Sequence, residues 1–425
     1  MSEPAMRLIV SQLGARMHYA VPRMLHAQSR LQRFYTDICA TKGWPKLLRA
    51  VPGGVMPTAL RRLTGRVPFA VPESAVVTFP SVGVGFGMRR ARAKTPTEQT
   101  EAHLWAGREL SRRLVSHVQS HGVGTAGGVY GFSGECLEAL VAMRARGLKT
   151  IVEQIVAPKL ILDRLVLEEE ERFPGWSAVS AFDGLSADYA AREQAEWAAA
   201  DLVVCGSGFV RDGVIASGVD PGRCVVVPYG VDRHEGGEPR RRAPGPLRVL
   251  TVGGVGLRKG TPYVLEAARR LGARAEFRMV GACDVVGPAR VALADAVTLT
   301  GAVPRTEIAA HYAWADVFLL PSICEGSATV VYEALAAGLP VVTTPNAGSV
   351  VRDGVDGYVV PIRDVDAIEA ALAAFAADAE LYERCSLNAR GRARQFDLPA
   401  YGRRLAEAID GAPAAALSVP LAAAV

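Results

Sequence analysis

The sequence has 425 residues, 50% hydrophobic and 21% charged, as in ordinary globular proteins, which excludes long disorder and collagen-like repeats. The sequence has no run of 18 uncharged apolar residues, so we expect no membrane span. The first residues lack the long apolar stretch of a signal peptide. The seven cysteines are scattered and form no Cys-x-x-Cys pair, so we expect a reduced, cytoplasmic protein without disulfides or a zinc site.

The formal net charge of +5 hides an uneven distribution along the chain. Residues 1–150 carry 21 of the 48 Lys and Arg but only 8 of the 43 Asp and Glu. The N-terminal part is therefore basic and the remainder acidic. A one-sided charge of this kind can attract an anionic partner or surface.

Short β-rich runs alternate with longer helical patterns, which predicts βαβ units and parallel sheets. In the first half, we expect a helix after Gly14 that continues through Ile38. The predicted strands of this half are 7–11, 75–79, 150–155, 201–205 and 224–228. The second half predicts strands at 247–252, 277–280, 297–300, 317–320 and 341–343, with helices at 262–271, 328–337, 365–377 and 399–410.

A change of composition separates the two halves. Residues 234–246 are rich in Gly, Pro and charge and have no apolar periodicity. We therefore predict an α/β protein with two Rossmann-like domains whose parallel sheets face a central cleft, where ligands bind beyond the carboxyl ends of the strands. The predicted parts are a domain over 1–232, a linker over 233–246, a domain over 247–410 whose last helix packs back on the first, and a frayed tail over 411–425.

The segment 321–340, PSICEGSATVVYEALAAGLP, is the most informative part of the sequence. A predicted strand runs into a turn, and a helix begins after it. The free backbone N–H groups at the helix start fit an anion such as a diphosphate. Glu333, inside the helix, can accept two hydroxyls of a ribose. On spacing alone, an ordinary capped helix with one buried Glu explains the pattern equally well.

The same segment resembles the retaining glycosyltransferase family four, which has GT-B architecture and belongs to the glycosyl transferases group 1. The resemblance rests on two glutamates, with seven residues between them, within a longer pattern. The matching residues are Pro321, Ser322, Glu325, Gly326, Glu333, Ala334, Gly338, Pro340 and Val341. The resemblance implies that Glu325 contacts the donor sugar and that Glu333 holds the nucleotide ribose. Backbone amides near the sugar and phosphate are implied for Gly326, Ser327, Ala328 and Thr329.

A second donor segment is 252–260, VGGVGLRKG, where the glycines, Gly253 among them, permit a tight turn close to a phosphate. Lys259 is placed to meet the diphosphate as a point charge. A dinucleotide-binding fingerprint is the rival interpretation, and its Gly spacing fails at position 259. The family usually supplies an Arg and a Lys here. Gly254 stands at the Arg position, so Arg258 is the expected substitute. The backbone at Val303 is expected to contact the nucleotide base.

The N-terminal half departs from the family pattern. Gly14, Arg16 and His18 follow the first strand and are the predicted acceptor-binding residues, although an exposed His18 without a role is the simpler alternative. Gln154 occupies the place of a family His near the donor sugar. An amide can hydrogen-bond a sugar hydroxyl but cannot act as an acid or a base. The predicted catalytic residues are Glu325 and Lys259 in the second half of the chain and Gln154 in the first, where Gln154 would contact the sugar through hydrogen bonds.

Two further patterns bear on metals and partners. Asp364-Val365-Asp366 resembles the motif of metal-dependent transferases, but it precedes an apolar helical pattern and is better interpreted as a helix cap. We predict no metal and no cofactor, with a nucleotide-diphosphate sugar as co-substrate, and no nucleic-acid partner because no recognition motif accompanies the charge. Between Ile38 and Pro72 six basic residues alternate with apolar ones, which suits an anionic membrane surface or, more simply, a solvated face.

The resemblance and these residues predict a metal-independent retaining glycosyltransferase. It would move a sugar to a hydroxyl of a carbohydrate or lipid-linked acceptor in surface polysaccharide or glycolipid biosynthesis. The expected location is cytoplasmic, with a peripheral position at the inner face of the membrane. Two alternatives stay open: a nucleotide-sugar enzyme without transfer, of epimerase or phosphorylase type, and a non-catalytic GT-B scaffold.

Overall fold

The computed structural model describes residues 5–51, 56, 58–232, 240–242 and 244–411. Of the predicted linker, residues 233–239 and 243 lie outside the described residues, as does the tail from 412 to 425. Two parallel sheets with helices on their faces form the described structure. The predicted α/β class with two Rossmann-like halves is confirmed.

The first sheet has seven described strands in the order β3-β2-β1-β4-β5-β6-β7, all parallel. The strands are β1 (Arg7–Gln12), β2 (Leu31–Thr36), β3 (Val76–Thr78), β4 (Ala126–Phe132), β5 (Lys149–Gln154), β6 (Leu202–Cys205) and β7 (Cys224–Val226). The helices of this half are α1 (Ala20–Ala27), α2 (Trp44–Leu48), α3 (Thr58–Thr64), α4 (Pro80–Arg92), α5 (Pro96–His121), α6 (Leu137–Arg144), α7 (Lys159–Arg172), α8 (Ser186–Ala199) and α9 (Gly208–Ala216).

The second sheet has six described strands in the order β10-β9-β8-β11-β12-β13, also parallel. The strands are β8 (Leu247–Val252), β9 (Ala275–Val280), β10 (Thr298–Leu299), β11 (Val317–Leu320), β12 (Val341–Thr343) and β13 (Gly357–Val359). The helices are α10 (Thr261–Leu271), α11 (Gly287–Ala296), α12 (Arg305–Trp314), α13 (Thr329–Ala336), α14 (Val365–Ala377), α15 (Ala379–Ala393) and α16 (Leu398–Ile409).

The strand order reverses between β1 and β4 in the first sheet and between β8 and β11 in the second. Central strands are buried on both faces and are correspondingly apolar; every residue of β11 (VFLL) is fully buried. The loops that follow these four strands diverge at the reversal, which opens a crevice at the carboxyl edge of each sheet. The predicted Gly14, Gly253 and Glu325 loops all lie at these two crevices.

The predicted helix from Gly14 through Ile38 is wrong. A short 3-10 turn over Arg16–Tyr19 leads into α1, which ends at Ala27, and the chain then forms β2. Apolar residues at helical spacing are real in α1 but stop there. Ser29, with φ +59°, reverses the chain, and the aromatic residues of β2 favour a buried strand.

Besides β2, two further strands, β4 and β13, were missing from the sequence prediction. In β4, AGGVYGF, three glycines obscure the apolar run, yet β4 pairs with both β1 and β5 at the centre of its sheet. In β13 only three residues pair with β12, too few for a pattern. Both were missed because pairing partners distant in sequence, not local preference, hold these segments.

The C-terminal helix α16 returns to the first half of the chain and packs against α1. The Nζ atom of Lys149 donates to the carbonyl of Ile409 at 2.6 Å, and Arg30 forms an ion pair with Asp410 at 2.6 Å. Arg404 donates to the carbonyl of Pro228 at 3.0 Å. These contacts tie the end of the second domain to the first.

The crossing of α16 over the chain near Gly230 is tight, and we expect Gly230→Ala to destabilise the protein. A Cβ atom at Gly230 would lie 2.5 Å from the carbonyl oxygen of Asp397, so one backbone must move. We expect a loss of ~1–3 kcal/mol in the free energy of unfolding, seen as a lower midpoint in thermal or denaturant unfolding.

Gly391→Ala is the matched control, because Gly391 lies in α15 and a Cβ there would meet nothing within 4 Å. It should be neutral or stabilise by up to ~1 kcal/mol. Equal stability of the Gly230→Ala variant and the wild type would contradict the tight crossing.

Candidate functional site

Glu325 lies between two cations at the carboxyl edge of the second sheet. Its Oε1 atom is 2.7 Å from Nζ of Lys259 and 2.8 Å from Nη1 of Arg258. The side chains of Glu325 and Lys259 are each 12% exposed, whereas that of Arg258 is 42% exposed. The structure thus brings together three of the predicted donor residues, including the one expected to replace the usual Arg.

Backbone hydrogen bonds hold this arrangement in place. The N–H of Ile323 donates to the carbonyl of Arg258 at 2.9 Å, which joins the loop after β8 to the loop after β11. The N–H of Glu325 donates to the carbonyl of Asn346 at 2.9 Å. Gly253, with φ +136°, leaves room for the Lys259 stem, because a Cβ there would lie 3.2 Å from its Cε. Gly254 has open space beside it, since a Cβ there would meet nothing within 4 Å.

The Lys259 ammonium is held in a partly dry environment. Burial lowers its pKa below the usual value for lysine, and the neighbouring charge of Arg258 lowers it further, while the carboxylate of Glu325 opposes both effects. The pair therefore keeps Lys259 charged despite its burial. A charged, desolvated ammonium at a loop next to a helix start is suited to bind a phosphate oxygen.

Glu333 lines a cavity of about 490 Å³ next to the same loop. Its Oε2 atom accepts the hydroxyl hydrogen of Tyr312 at 3.0 Å. Burial and the Glu333 charge raise the pKa of Tyr312, so the phenol stays a donor. Val303 and Arg305 line the cavity as well, which places the predicted base and ribose contacts on one surface.

The start of α13 offers free backbone donors. Among the described residues, the N–H groups of Gly326, Ser327, Thr329 and Val330 have no protein acceptor. The N–H of Ala328, also predicted to face the donor, is bonded to the carbonyl of Ala347 at 3.0 Å. Free donors at a helix start bind anions, so the amides on either side of Ala328 carry the predicted role better than Ala328 itself.

Gly326 lies at a tight contact between the two domains. A Cβ at Gly326 would lie 2.0 Å from the carbonyl oxygen of Ile155, so only glycine fits. The Oγ atom of Ser207 donates to the carbonyl of Gly326 at 2.6 Å and also accepts the N–H of Val210 at the start of α9. The Oγ atom of Ser327 is bonded to the hydroxyl of Tyr332 at 2.7 Å. Gly326 and Ser327 are thus small at a place where the two domains touch. The sequence had related them only to the approach of a ligand to the backbone.

Gln154 is fully buried, which differs from its predicted place beside the donor sugar. Its Nε2 atom donates to Oε1 of Glu193 at 2.7 Å and to the carbonyl of Val156 at 3.0 Å. Its Oε1 atom accepts the indole N–H of Trp197 at 3.0 Å. Both amide hydrogens are thus used inside the first domain, and Gln154 positions the loop after β5 instead of contacting a substrate.

A second cavity, of about 520 Å³, lies at the crevice of the first sheet. It contains the predicted Gly14 and Arg16, whereas His18 contacts Arg305 of the second domain across the cleft. Burial and the charge of Arg305 lower the pKa of His18. The loop over 14–19 therefore lines the second cavity and, through His18, contacts Arg305, which lines the first.

Sequence analysis missed several residues that line this second cavity. Glu135, in the loop after β4, accepts the N–H of Leu13 at 2.7 Å, and burial raises its pKa to about 8. Burial likewise raises the pKa of Glu193, on α8, to about 7. Arg90 lies on α4, and its position at the cavity depends on the packing of that helix. Glu135 follows a strand that was not predicted, so no local signal marked it.

The Asp364-Val365-Asp366 pattern caps a helix. Oδ1 of Asp364 accepts the N–H of Ala367 at 2.8 Å at the start of α14, and Asp366 forms an ion pair with Arg270 at 2.5 Å. In the part of the chain that the structure describes, no group of three or more His, Cys, Asp or Glu is arranged to hold a metal ion. None of the described helices combines the length and apolarity needed to cross a bilayer.

Residues 246–378, which carry the Glu325 loop and α13, match the family model described as glycosyl transferases group 1. The match lies in the second half of the 425-residue chain. This match confirms the resemblance of residues 321–341 to the glycosyl transferases group 1. The matched residues include Lys259, Glu325 and Glu333, which are predicted to bind the donor.

Relatives and solved structures agree with this match. The chain is 33% identical over 212 residues to a putative colanic acid biosynthesis glycosyltransferase, WcaL, of Salmonella typhimurium, covering 44% of this chain and 51% of the relative. It is 34% identical over 143 residues to the amylovoran biosynthesis glycosyltransferase AmsK of Erwinia amylovora, covering 30% of this chain and 35% of the relative. The match thus spans about half of the first relative's length and about a third of the second's.

The fold is shared over nearly the whole chain. The structure of Anabaena HepE in complex with UDP superposes with a TM-score of 0.57 and 16% identity, covering 95% of this chain and 99% of that one. At this identity the likeness concerns the fold, and it agrees with a GT-B arrangement in which the group 1 domain faces an N-terminal Rossmann-like domain.

We expect Glu325→Gln to lower the pKa of Lys259 further, because the carboxylate is the group that opposes the effect of burial. The measurement is a pH titration of the 13C-dimethylated lysines by NMR, with the Lys259 signal assigned through Lys259→Arg. Glu407→Gln, an exposed change in α16, should leave the signal unchanged. A Lys259 pKa that stays the same or rises in Glu325→Gln would contradict the ion-pair geometry.

Proposed function

We propose that this protein is a retaining, metal-independent glycosyltransferase. It moves a sugar from a nucleotide-diphosphate sugar to a hydroxyl of a carbohydrate or lipid-linked acceptor. The observation that carries the proposal is the Glu325 carboxylate held by Lys259 and Arg258 at the start of α13, in a group 1 domain that also presents Glu333. The names of the relatives, in colanic acid and amylovoran biosynthesis, support a role in making a surface polysaccharide or glycolipid.

The donor would bind across the cavity of the second domain. Glu333 is placed to accept two ribose hydroxyls in addition to the Tyr312 hydroxyl, and the backbone near Val303 would border the base. The diphosphate would meet the free N–H groups of Thr329 and Val330 and the ammonium of Lys259. No cofactor besides this co-substrate is needed by the proposal.

The chemical step would depend on charge that develops on the leaving diphosphate. Lys259 and Arg258 are preorganised cations in a site with little water, where each stabilises such charge strongly. Glu325 positions the sugar and does not attack it. The leaving diphosphate takes the acceptor proton on the same face, so the anomeric configuration is retained. Cations of the chain thus take the part that a metal ion plays in other transferases.

The acceptor would bind in the cavity of the first domain. Ile155 and Val156 line that cavity and also pack against Gly326, the neighbour of Glu325. A sugar held at Glu325 therefore lies beside the acceptor cavity. Gly14 and Arg16 border the acceptor there, and His18 reaches the donor side through Arg305.

The test of the proposed function is turnover with a panel of UDP-, GDP- and ADP-sugars, with and without EDTA. We expect one donor to be turned over at a rate that EDTA does not change. Glu333→Gln should weaken binding of that donor about 10- to 100-fold, because a charge-assisted hydrogen bond to each hydroxyl is lost.

Glu407→Gln is the control for this panel, since its side chain is exposed on α16 away from both cavities. Loss of turnover in EDTA would contradict metal independence. A product with inverted anomeric configuration by 1H NMR would contradict retention, and an altered donor without transfer would identify the epimerase or phosphorylase type of enzyme.

The basic, partly apolar surface of the first domain supports a peripheral position on an anionic membrane. Trp44 and Leu47 of α2 are 44% and 73% exposed, and Met88 of α4 is 51% exposed. Lys46 and Arg89 lie on the same two helices. Apolar side chains can enter the headgroup region while the neighbouring cations meet anionic lipids.

Leu47→Ala should weaken binding to vesicles of phosphatidylglycerol and phosphatidylcholine about tenfold, because burial of one leucine is lost. Co-sedimentation at low and high salt measures this, and binding should fall as salt rises. Leu387→Ala, at a 57% exposed leucine of α15, is the matched control and should bind as the wild type does. Equal loss in both variants, or no vesicle binding, would contradict the membrane surface.

A further inference from the structure

The cavity of the first domain is unusually rich in cations for a site that would bind neutral sugars. It lies beyond the carboxyl ends of β1, β4 and β5 and is closed on one side by α4 and α5. Four basic side chains line it, namely Arg16, Arg66, Arg90 and Lys159. Neither the group 1 match nor the donor chemistry explains them, because the matched residues begin at 246.

Two of these cations already have carboxylate partners. Arg66 is 3.0 Å from Oδ2 of Asp37, whose side chain is 1% exposed. Lys159 is 2.7 Å from both Asp163 and Asp183. Their charges are therefore neutralised within the protein, and they shape the wall of the cavity.

Arg16 and Arg90 differ, because neither forms an ion pair with any residue that the structure describes. Each guanidinium instead rests over an aromatic ring: Arg16 lies 5.8 Å from the centroid of Phe132, and Arg90 lies 5.6 Å from that of Phe86. A cation–π contact of this kind leaves the N–H donors of the guanidinium available. The cavity thus presents two guanidinium groups that form no salt bridge among the described residues.

Burial reduces the negative charge that the carboxyl groups of the cavity carry at neutral pH. Burial raises the pKa of Glu135 to about 8 and that of Glu193 to about 7. Glu135 is then mostly protonated and can donate a hydrogen bond, a contact suited to a sugar hydroxyl. The cavity combines a neutral carboxyl with two free guanidinium groups.

We propose that the cavity of the first domain binds an acceptor that carries a phosphate or diphosphate group, with Arg16 and Arg90 as its ligands and Glu135 facing the sugar part. Guanidinium groups bind phosphate oxygens in a bidentate manner, which gives both affinity and orientation. The inference rests on the proposed transferase function, since it names the acceptor class of that reaction. The phosphate can belong to a soluble sugar phosphate or to a lipid-linked sugar.

The test uses inorganic pyrophosphate as the probe, titrated calorimetrically into full-length Lys259→Gln protein. This background weakens the donor diphosphate site, so binding reports on the first domain. Adding Arg16→Gln or Arg90→Gln should each weaken pyrophosphate binding about tenfold, as expected for one charged hydrogen-bonding partner. Arg112→Gln, at an exposed residue of α5 that lines neither cavity, is the matched control and should bind as the background does.

Two competing ligands identify the source of the phosphate. Displacement of pyrophosphate by a hexose 1-phosphate supports a soluble acceptor, and displacement by vesicles that contain a polyprenyl phosphate, but not by plain phosphatidylcholine vesicles, supports a lipid-linked one. Displacement by neither overturns the proposal, as does pyrophosphate binding that Arg16→Gln and Arg90→Gln leave unchanged. Because Arg90 is exposed, Arg90→Gln should fold normally. It therefore still measures the contribution of the cavity to pyrophosphate binding if Arg16→Gln disturbs folding.

Failure of this inference is distinguishable from failure of the proposed function. Donor turnover in the nucleotide-sugar panel with no pyrophosphate binding in the first domain would remove the phosphate acceptor and leave the transferase. Pyrophosphate binding that depends on Arg16, with no donor turned over, would leave the phosphate-binding cavity and remove the transferase.

Discussion

The charge contact of Glu325 with Lys259 and Arg258 is the interaction on which the donor site depends. A carboxylate and an ammonium that are each 12% exposed are stable together because each removes the cost of burying the other. The contact also joins the loop after β8 to the loop after β11, the two loops that diverge at the strand reversal. Around it the chain places Gly253 to clear the lysine stem and Asn346 to fix the backbone of Glu325.

The loop that carries Glu325 also joins the two domains. Gly326 lies so close to Ile155 that no Cβ fits, and Ser207 of the first domain donates to the Gly326 carbonyl. Any movement of one domain is therefore transmitted to the residue next to Glu325. This geometry supports a reaction in which a donor held by the second domain meets an acceptor held by the first.

The parts of the site that the sequence could predict are local. The two glutamates, the strand-turn-helix around them and the Asp364 cap each depend on a few consecutive residues, and the structure shows the cap and the turn where the pattern indicated them. Gln154 could not be predicted in this way. Its partners Glu193 and Trp197 are 39 and 43 residues further along the chain, and only the packing of α8 against β5 brings them to its amide.

The cavity of the first domain escaped prediction for the same reason. Arg16, Arg90 and Glu135 come from three separate segments, and β4, which positions Glu135, was hidden by its glycines. The strand β2 was predicted as part of a helix, because the helical spacing of apolar residues in α1 was extended beyond Ala27, where that helix ends. Pairing between distant segments decided these elements, whereas local preference decided α13 and α14.

The most direct test of the account compares nucleoside diphosphates with monophosphates. Binding of UDP and UMP, and of GDP and GMP, is measured by calorimetry for the wild type and for Lys259→Gln. If the cations around Glu325 receive the donor diphosphate, the diphosphate of the preferred base binds at least about tenfold more tightly than its monophosphate, and Lys259→Gln removes most of that preference. Equal affinity of diphosphate and monophosphate in the wild type, or a preference that Lys259→Gln leaves intact, would contradict it.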